Sequence, residues 1–207
     1  MTLTNCYTDL DTLKGEVGIT TTTTQYDLKL ETAISSASRL IDGFCGRFFY
    51  QDTSVATRTY YATDYDCVWT DDISTTTGLI VKTDDGDDGT FATTLTLTTN
   101  FILLPTNAAV QYPVQPYTAI RLVDSGITAF PMSNSGRPGV QVTAKFGWPA
   151  VPDDVAKACL IQAVQNYKAS DAPFGALNFD AGVVRIQSNM HPQAAGLLER
   201  WVKPRVA

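Results

Sequence analysis

The sequence predicts an α+β fold, in which a helical bundle core of about four helices carries an inserted antiparallel β region. Apolar residues recur at helical spacing only towards the two ends of the 207-residue chain, and short runs rich in β-branched and aromatic residues occupy its middle. We therefore expect three consecutive parts. Residues 1–55 and 148–207 form the two parts of the helical core, and residues 56–147 form the β-rich insertion.

The N-terminal part of the core is predicted to contain two helices. A short one spans Thr8–Lys14, with Thr8 as its N-cap and Gly15 as its end. A long one spans about Gln25–Phe44 with Thr24 as its N-cap, because apolar residues recur there at steps of four and three: Leu30, Ile34, Ala37, Ile41 and Phe44. Glycines near its end indicate a stop, and the aromatic residues that follow are expected to fill the core: Phe48, Phe49 and Tyr50.

The β-rich insertion is predicted from separate strand-like runs: Arg58–Tyr61, Leu79–Val81, Phe101–Leu104, Ala119–Val123 and Val140–Ala144. Turn-forming residues lie between them, which is typical of antiparallel strands. The acidic segment Asp84–Gly89, with two glycines, predicts a double hairpin turn.

Helical spacing resumes after Trp148. Pro152 is predicted at the first helical position, followed by two carboxylates in the first turn. This helix runs to about Ser170 with little polar face, so we expect it to be central and to pack on the long N-terminal helix. A last helix begins near Pro192 and ends at Pro204.

Charge and composition exclude several classes of function. The net charge is −6 and the isoelectric point is about 4.6. Both values disfavour non-specific electrostatic binding to nucleic acid. Charged residues make up only 17% of the chain, a fraction that suits burial against partners. The four cysteines are widely spaced, which favours free and mostly buried thiols. No membrane span and no signal peptide are expected, so the chain is expected to be made in the cytoplasm.

No catalytic, cofactor or metal site is predicted. The one histidine, His191, precedes Pro192 and is expected to cap the last helix. A hydrolase would need a partnered imidazole, and no nucleophile elbow, phosphate-binding loop or paired zinc ligands occur. The chain is therefore predicted not to be an enzyme.

An acidic loop is the one candidate cation site, and it contains Asp84, Asp85, Asp87 and Asp88. Its spacing does not match a calcium-binding loop, so a hairpin turn is favoured over a calcium site. If several copies formed a ring, such loops would also make a negative rim that repels DNA.

Three segments in order resemble one known family: Ile41–Phe49 (IDGFCGRFF), Val142–Val155 (VTAKFGWPAVPDDV) and Tyr167–Gly175 (YKASDAPFG). They resemble the head-to-tail adaptor, or head-tail connector, proteins of long-tailed bacteriophages. The β insertion is similar to the same subfamily in Asp71–Val81 and Asp87–Pro105.

The resemblance implies a structural ring protein, expected to have twelve copies, in the neck of a virion assembled in the host bacterial cytoplasm. The implied partners are the portal protein, a head-completion or stopper protein on the tail side, and further copies of the chain. Genomic double-stranded DNA would pass through the lumen without specific contact, and neither a cofactor nor a membrane is involved.

Three regions are the candidate sites under this resemblance. The portal-docking candidates lie in the C-terminal segment: Leu197, Arg200, Trp201, Lys203 and Arg205. Tryptophan and arginine are common at interface hot spots, but packing within the bundle explains this segment equally well. The subunit-interface candidates are Asp171, Pro173, Phe174 and Arg185, for which a simple surface turn is the alternative. The β insertion is a third candidate region, expected on the outside or tail-proximal side with its hairpin tips touching neighbouring copies.

A second function class stays open. Thr-rich strands and aromatic residues that we expect to be exposed also suit a carbohydrate- or surface-binding β module: Tyr60, Tyr61, Tyr65 and Trp69.

Overall fold

The computed structural model describes residues 3–62, 64–123, 129–132, 135–170, 176–179, 182–185 and 190–203. The chain forms two compact units. The helical unit comprises Met1–Tyr50 and Val151–Ala207, and the sheet unit comprises Gln51–Ala150. The predicted α+β class is confirmed, with four helices packed together and a six-stranded antiparallel sheet among the described residues.

The helical unit contains α1 (Leu10–Val17), α2 (Asp27–Cys45), α3 (Asp153–Ala169) and α4 (Pro192–Leu198), and a 3-10 turn, Glu199–Trp201, directly follows α4. Helix α2 packs on α3, as predicted, while α1 contacts both and α4 packs on α3. Two short strands of this unit, β7 (Ala176–Phe179) and β8 (Gly182–Arg185), form an antiparallel hairpin.

Helix α1 begins and ends later than predicted. Asp9 rather than Thr8 is its N-cap, because the Asp9 carboxylate accepts a hydrogen bond from the Thr12 amide at 2.8 Å. The helix also continues past Gly15 to Gly18, which adopts a left-handed conformation with φ 76°. A glycine with this backbone angle ends a helix without steric cost.

The predicted cap of α2 was also wrong. Thr24 lies in a turn before the helix, where its carbonyl accepts the Asp27 amide at 3.1 Å, and Tyr26 occupies the N-cap position without a side-chain hydrogen bond. Asp27 instead forms an ion pair with Lys14 at 2.6 Å, which ties the start of α2 to α1.

The apolar stripe of α2 is confirmed except at its last position. Leu30, Ile34, Ala37 and Ile41 are buried, but Phe44 is exposed and Cys45 completes the buried stripe. Cys45 lies four residues after Ile41, so it continues the same face before Gly46 ends the helix. Of the aromatic residues that follow, Phe49 is fully buried, whereas Phe48 is exposed and Tyr50 is partly buried.

The C-terminal helices largely follow the prediction. Pro152 is the N-cap of α3 rather than its first helical residue, and the only exposed positions within α3 are Asp153, Lys157 and Lys168. Helix α4 begins at Pro192 with His191 as its cap. The predicted end at Pro204 lies outside the described residues.

The sheet unit contains β1 (Ala56–Tyr60), β2 (Cys67–Thr83), β3 (Thr93–Leu95), β4 (Phe101–Leu104), β5 (Tyr117–Leu122) and β6 (Val140–Phe146). The strand order is β1-β6-β2-β5-β4, with β3 also pairing with β2. The run Leu79–Val81 is not a separate strand, because the long β2 continues through it with register shifts on the way. The acidic segment makes a single connection from β2 to β3 rather than a double hairpin.

The core of the sheet unit lies on one face of the sheet. Strand β6 shows the period of two, since Val140, Val142, Ala144 and Phe146 are buried while the residues between them are not. Buried residues of the other strands join them: Val68, Ile73, Val81, Leu95, Phe101, Leu103 and Ile120. Trp148 is buried in the same unit, where its indole N–H donates to Asp72 at 3.1 Å.

Candidate functional site

The C-terminal candidate segment is packed on its own helical unit as far as the structure describes it. Trp201 is buried, and its ring meets Phe49 edge-on at 6.3 Å between ring centroids. The backbone of Lys203 donates to the carbonyl of Cys45 at 2.8 Å, which fixes the chain to the end of α2. Edge-to-face aromatic pairs of this kind stabilise a core. In this segment, Trp201 therefore holds the chain in place.

Arg200 is an exposed charge of the described part of this segment. Its guanidinium pairs with the Asp154 carboxylate in the first turn of α3 and also lies 4.5 Å from the centroid of the Trp201 ring. Leu197 is half-buried. Arg205 lies outside the described residues. The structure thus brings Leu197, Arg200, Trp201 and Lys203 onto one unit.

The second candidate segment is described only in part. Asp171, Pro173 and Phe174 lie outside the described residues. Arg185 is the last residue of β8, and its backbone pairs with Ala176 of β7. The described part of this segment therefore contains a two-stranded hairpin.

The acidic loop is organised by its own carboxylates. Asp84 is buried, and its two carboxylate oxygens accept the backbone amides of Asp88 at 3.2 Å and Gly89 at 2.7 Å. Asp85 accepts a hydrogen bond from the Thr93 hydroxyl at 2.5 Å. The Asp87 carboxylate accepts both the amide and the hydroxyl of Ser135, at 2.8 and 2.6 Å.

Asp88 completes this network at the surface. Its carboxylate accepts the Thr90 amide at 2.7 Å, and this hydrogen bond holds the pKa of Asp88 below its usual value. Backbone and hydroxyl donors, rather than a cation, thus satisfy these carboxylates. Within the described residues, no group of three or more His, Cys, Asp or Glu side chains is arranged to hold a metal ion.

His191 acts as a helix cap. Its Nδ1 accepts the Gln193 amide at 3.2 Å, and its own amide donates to the Gln162 side chain at 2.8 Å. Among the described helices, none is long and apolar enough to cross a membrane. The cysteines are free, and burial raises the pKa of the Cys45 and Cys159 thiols to about 11, so both are protonated at neutral pH.

A buried polar cluster fastens the segment before α1 to α2. The Tyr7 hydroxyl donates to the Asp42 carboxylate and accepts the Phe49 amide at 2.9 Å, while the Tyr7 amide donates to Ser38 at 3.2 Å. Arg39 lies 3.1 Å from the same carboxylate. Burial raises the pKa of Tyr7 and, in spite of the Tyr7 and Arg39 contacts, that of Asp42. The cluster thus positions the segment before α1 on α2.

The four aromatic residues of the glycan-binding alternative differ in exposure. Tyr61, Tyr65 and Trp69 are exposed. Tyr60 is partly buried, and its hydroxyl donates to Asp71 at 3.2 Å. Exposure of three rings is therefore as expected for this alternative, and Tyr60 is held within the sheet unit.

A shallow groove of about 740 Å³ lies between α2 and α3 of the helical unit. Small side chains, among them Ala33 and Ser36, form its middle, and Leu28 and Leu40 flank it. The ammonium of Lys29 lies 5.1 Å from the centroid of the Tyr167 ring at the same groove. Its lining is mainly uncharged.

A further exposed apolar element was missed by the sequence analysis. The loop between β4 and β5 carries Val110 and Tyr112, whose exposed fractions of 82% and 92% are the highest among the large hydrophobic side chains of the described residues. The sequence does contain a signal for it, because no Asp, Glu, Lys or Arg occurs from Gly89 to Ile120. The run also contains buried strands, so it is the exposure of Val110 and Tyr112 that favours contact with another surface.

Comparisons with known proteins place the fold. No family model and no curated protein matches the chain. One solved structure, the neck of an empty gene transfer agent particle computed with C6 symmetry, contains a chain with a TM-score of 0.55 at 18% identity, covering 100% of this chain and 95% of that one. The chain shares its fold with a gene transfer agent neck component.

A second structure gives a similar result over most of the chain. In the virion of a native gene transfer agent particle, one chain matches with a TM-score of 0.50 at 21% identity, covering 92% of this chain and 85% of that one. The likeness covers residues of both units in each case, so it concerns the helices and the strands rather than one common motif.

Proposed function

We propose that this chain is a structural head-to-tail adaptor in the neck of a tailed bacteriophage or phage-like particle. It forms a ring of twelve copies beneath the portal protein, links the capsid to a stopper protein on the tail side, and lets DNA pass through its lumen. The observation that carries this proposal is the likeness to a neck component over 100% of this chain and 95% of the other. The ordered sequence segments that resemble adaptor proteins support the same function.

The ring number rests on symmetry and on the family resemblance. C6 symmetry, used for the neck that contains the similar chain, is compatible with a ring of six or of twelve copies. The adaptor resemblance favours twelve.

The negative charge of the chain suits a channel through which DNA passes without being bound. A net charge of −6 repels the phosphate backbone, and loops that contain Asp84, Asp85, Asp87 and Asp88 would form a negative rim if they faced the lumen. Because their carboxylates already bind backbone and hydroxyl donors, they keep the loop ordered as well.

The docking surfaces are assigned by the same reasoning. We place portal contact in the C-terminal tail, where Arg205 follows a segment that Trp201 and the Lys203 backbone fix to the helical unit. Arg200 and Leu197 border that tail. Contact between neighbouring copies is assigned to the segment with Asp171, Pro173, Phe174 and Arg185. The proposal includes no catalytic role. It places the chain in the neck of the virion.

The test is the mass of the purified chain by light scattering, alone and mixed with portal rings from the same source. We expect the chain to join the portal at about one copy per portal subunit. A version that lacks residues 204–207 serves as the matched control, and it should keep its fold and lose portal binding. A full-length chain that never associates with the portal would contradict the adaptor function.

A carbohydrate-binding β module is the second candidate, because Tyr61, Tyr65 and Trp69 present exposed rings on the sheet unit. Exposed aromatic rings are suited to stacking on sugar faces. A glycan panel probed with the wild-type chain and with the double variant Tyr61→Ala, Trp69→Ala tests it. Binding that the double variant loses would favour this function, and no binding across the panel would exclude it.

A further inference from the structure

The sheet unit presents an exposed loop that neither the adaptor surfaces nor the glycan-binding candidate explains. The loop between β4 and β5 spans residues 105–116 and contains no charged residue. Its side chains at Val110 and Tyr112 are 82% and 92% exposed, and Val114 is also exposed. Isolated exposed apolar residues are ordinary, but three on one loop form a patch that favours contact with another protein surface.

The loop is held in shape by its own backbone. The Gln115 amide donates to the Ala108 carbonyl at 3.0 Å, and the Val110 amide donates to the Asn107 carbonyl at 3.1 Å. Ala108 is fully buried, which anchors the middle of the loop to the unit. Because the backbone is already ordered, little conformational entropy is lost when the exposed side chains bind.

The residues that precede the loop lead to the face of the sheet opposite the core, where Leu104 is half-buried, Ala119 is fully buried and Trp69 is exposed. Leu104 pairs with Ala119, and Ala119 pairs with Trp69, so these three residues form one row across β4, β5 and β2. Residues paired directly across antiparallel strands lie on the same face. The loop begins at the residue after Leu104, so the row and the loop adjoin. The next row contains Arg121, whose ion pair with Asp66 at 3.5 Å marks the charged border.

We propose that this surface, defined as Trp69, Leu104, Val110, Tyr112 and Val114, binds a second copy of this chain in the ring. The inference rests on the proposed adaptor function. Each copy carries a net charge of −6, so charged surfaces of two copies repel each other on average. A contact between copies therefore favours the part of the chain that has no charge.

The same surface has the composition of an interface centre. Tyrosine and tryptophan are enriched at interface hot spots, and lysine, glutamate and aspartate are depleted at interface centres. DNA is excluded as the occupant, because binding to phosphates requires positive side chains. The proposed ring brings copies of the same negative charge against each other, so a second copy is the partner for which an uncharged contact matters most.

The experiment places a photo-crosslinking benzoylphenylalanine at position 112 of the full-length chain. Rings assembled on portal are irradiated, and the crosslinked peptides are identified by mass spectrometry. We expect covalent dimers of this chain on a denaturing gel, with the crosslinked peptide of the dimer band belonging to this same chain. Crosslinks only to the portal, or none in assembled rings, would overturn the inference. The same crosslinker is placed at Leu28, an exposed residue of the helical unit. Comparison of the two positions shows whether the crosslinks depend on where the probe lies.

A pair of variants gives a second measurement. Val110→Ser with Tyr112→Ser should weaken association between copies about tenfold or more, since loss of one hot-spot side chain has an effect of this size. Leu28→Ser is the matched control and should leave association unchanged. Circular dichroism confirms that each variant is folded. Unchanged association of the folded double variant would contradict the inference.

The two proposals fail separately. A chain that crosslinks to itself through position 112 but never joins the portal disproves the adaptor function and retains the self-association surface. A chain that forms rings on the portal without contact at position 112 retains the adaptor function and disproves this surface.

Discussion

Trp201 is a docking candidate on residue type, but the structure uses its side chain for packing. Its ring is buried against Phe49, while Arg200 covers it and pairs with Asp154. The side chain that interface statistics single out is thus already used by the free chain. Any role in portal docking is then indirect, through the position that Trp201 gives to the residues after Lys203.

Trp201→Ala should destabilise the chain by about 3–5 kcal/mol, the usual cost of removing a buried aromatic side chain. Trp201→Phe retains an aromatic ring against Phe49 and should recover most of this loss. Urea denaturation measures both variants, and Phe48→Ala, at an exposed neighbour of Phe49, is the control. If Trp201 were a free docking anchor, Trp201→Ala would leave the free energy of unfolding unchanged and reduce only portal binding.

Asp84 differs from the other carboxylates of the acidic loop because it is buried and accepts two backbone amides. Asp84→Ala should therefore cost about 1–3 kcal/mol, since the amides of Asp88 and Gly89 lose their acceptor. Hydrogen exchange at these two amides should speed up. Asp85→Ala, which removes only a contact to the Thr93 hydroxyl at an exposed position, should change stability little. Equal effects of the two variants would show that the buried acceptor is not what organises the loop.

At the scale of elements, the sequence predicts the presence of helices and strands better than their ends. The stripe Leu30, Ile34, Ala37 and Ile41 is set by periodic burial, which a single sequence contains. The identity of an N-cap depends instead on which of several adjacent polar side chains accepts a hydrogen bond from a backbone amide of the first helical turn. Thr8 and Asp9 are equally plausible on residue type, and only the folded backbone directs Asp9 to Thr12.

The candidate surfaces also differ in how far the sequence predicts them. His191 as a cap follows from its position before Pro192. The burial of Trp201 does not, because it depends on contact with Phe49, which is distant in sequence. The exposed β4–β5 loop was missed although its lack of charge is visible in the sequence, since only the structure distinguishes an exposed uncharged loop from a buried strand.

The cap of α1 has a measurable pH dependence. The Thr12 amide holds the pKa of Asp9 below its usual value, so the charged form stabilises the folded state. This stability is present above the usual pKa of an aspartate and is lost as the pH falls through the lowered pKa. Asp9→Ala should cost about 1 kcal/mol at neutral pH. Asp9→Asn, which keeps a capping oxygen, should cost less and should remove this part of the acid dependence of thermal unfolding. An unchanged acid dependence in Asp9→Asn would contradict the assignment.

At the scale of the molecule, charge and exposure are distributed unevenly along the chain. Carboxylates cluster in the β2–β3 connection, while the stretch from Gly89 to Ile120 has no charge at all. A ring protein around DNA has two requirements of this kind: repulsion where DNA passes and attraction where copies meet. One acidic chain meets both requirements if its contacts between copies are made by uncharged residues.

Association between copies should therefore become stronger as salt is added. Salt shortens the screening length from about 10 Å at 0.1 M to about 3 Å at 1 M, which weakens the repulsion between copies of net charge −6. A contact formed by Val110, Tyr112 and Trp69 itself loses nothing to screening. Light scattering across this salt range measures the effect. Tyr112→Asp, which adds a charge at the contact, should associate less at every salt concentration and respond more steeply to salt. Association that weakens with salt in the wild-type chain would mean that ion pairs, such as those that Asp171 and Arg185 can form between copies, contribute more to the contact than the uncharged surface does.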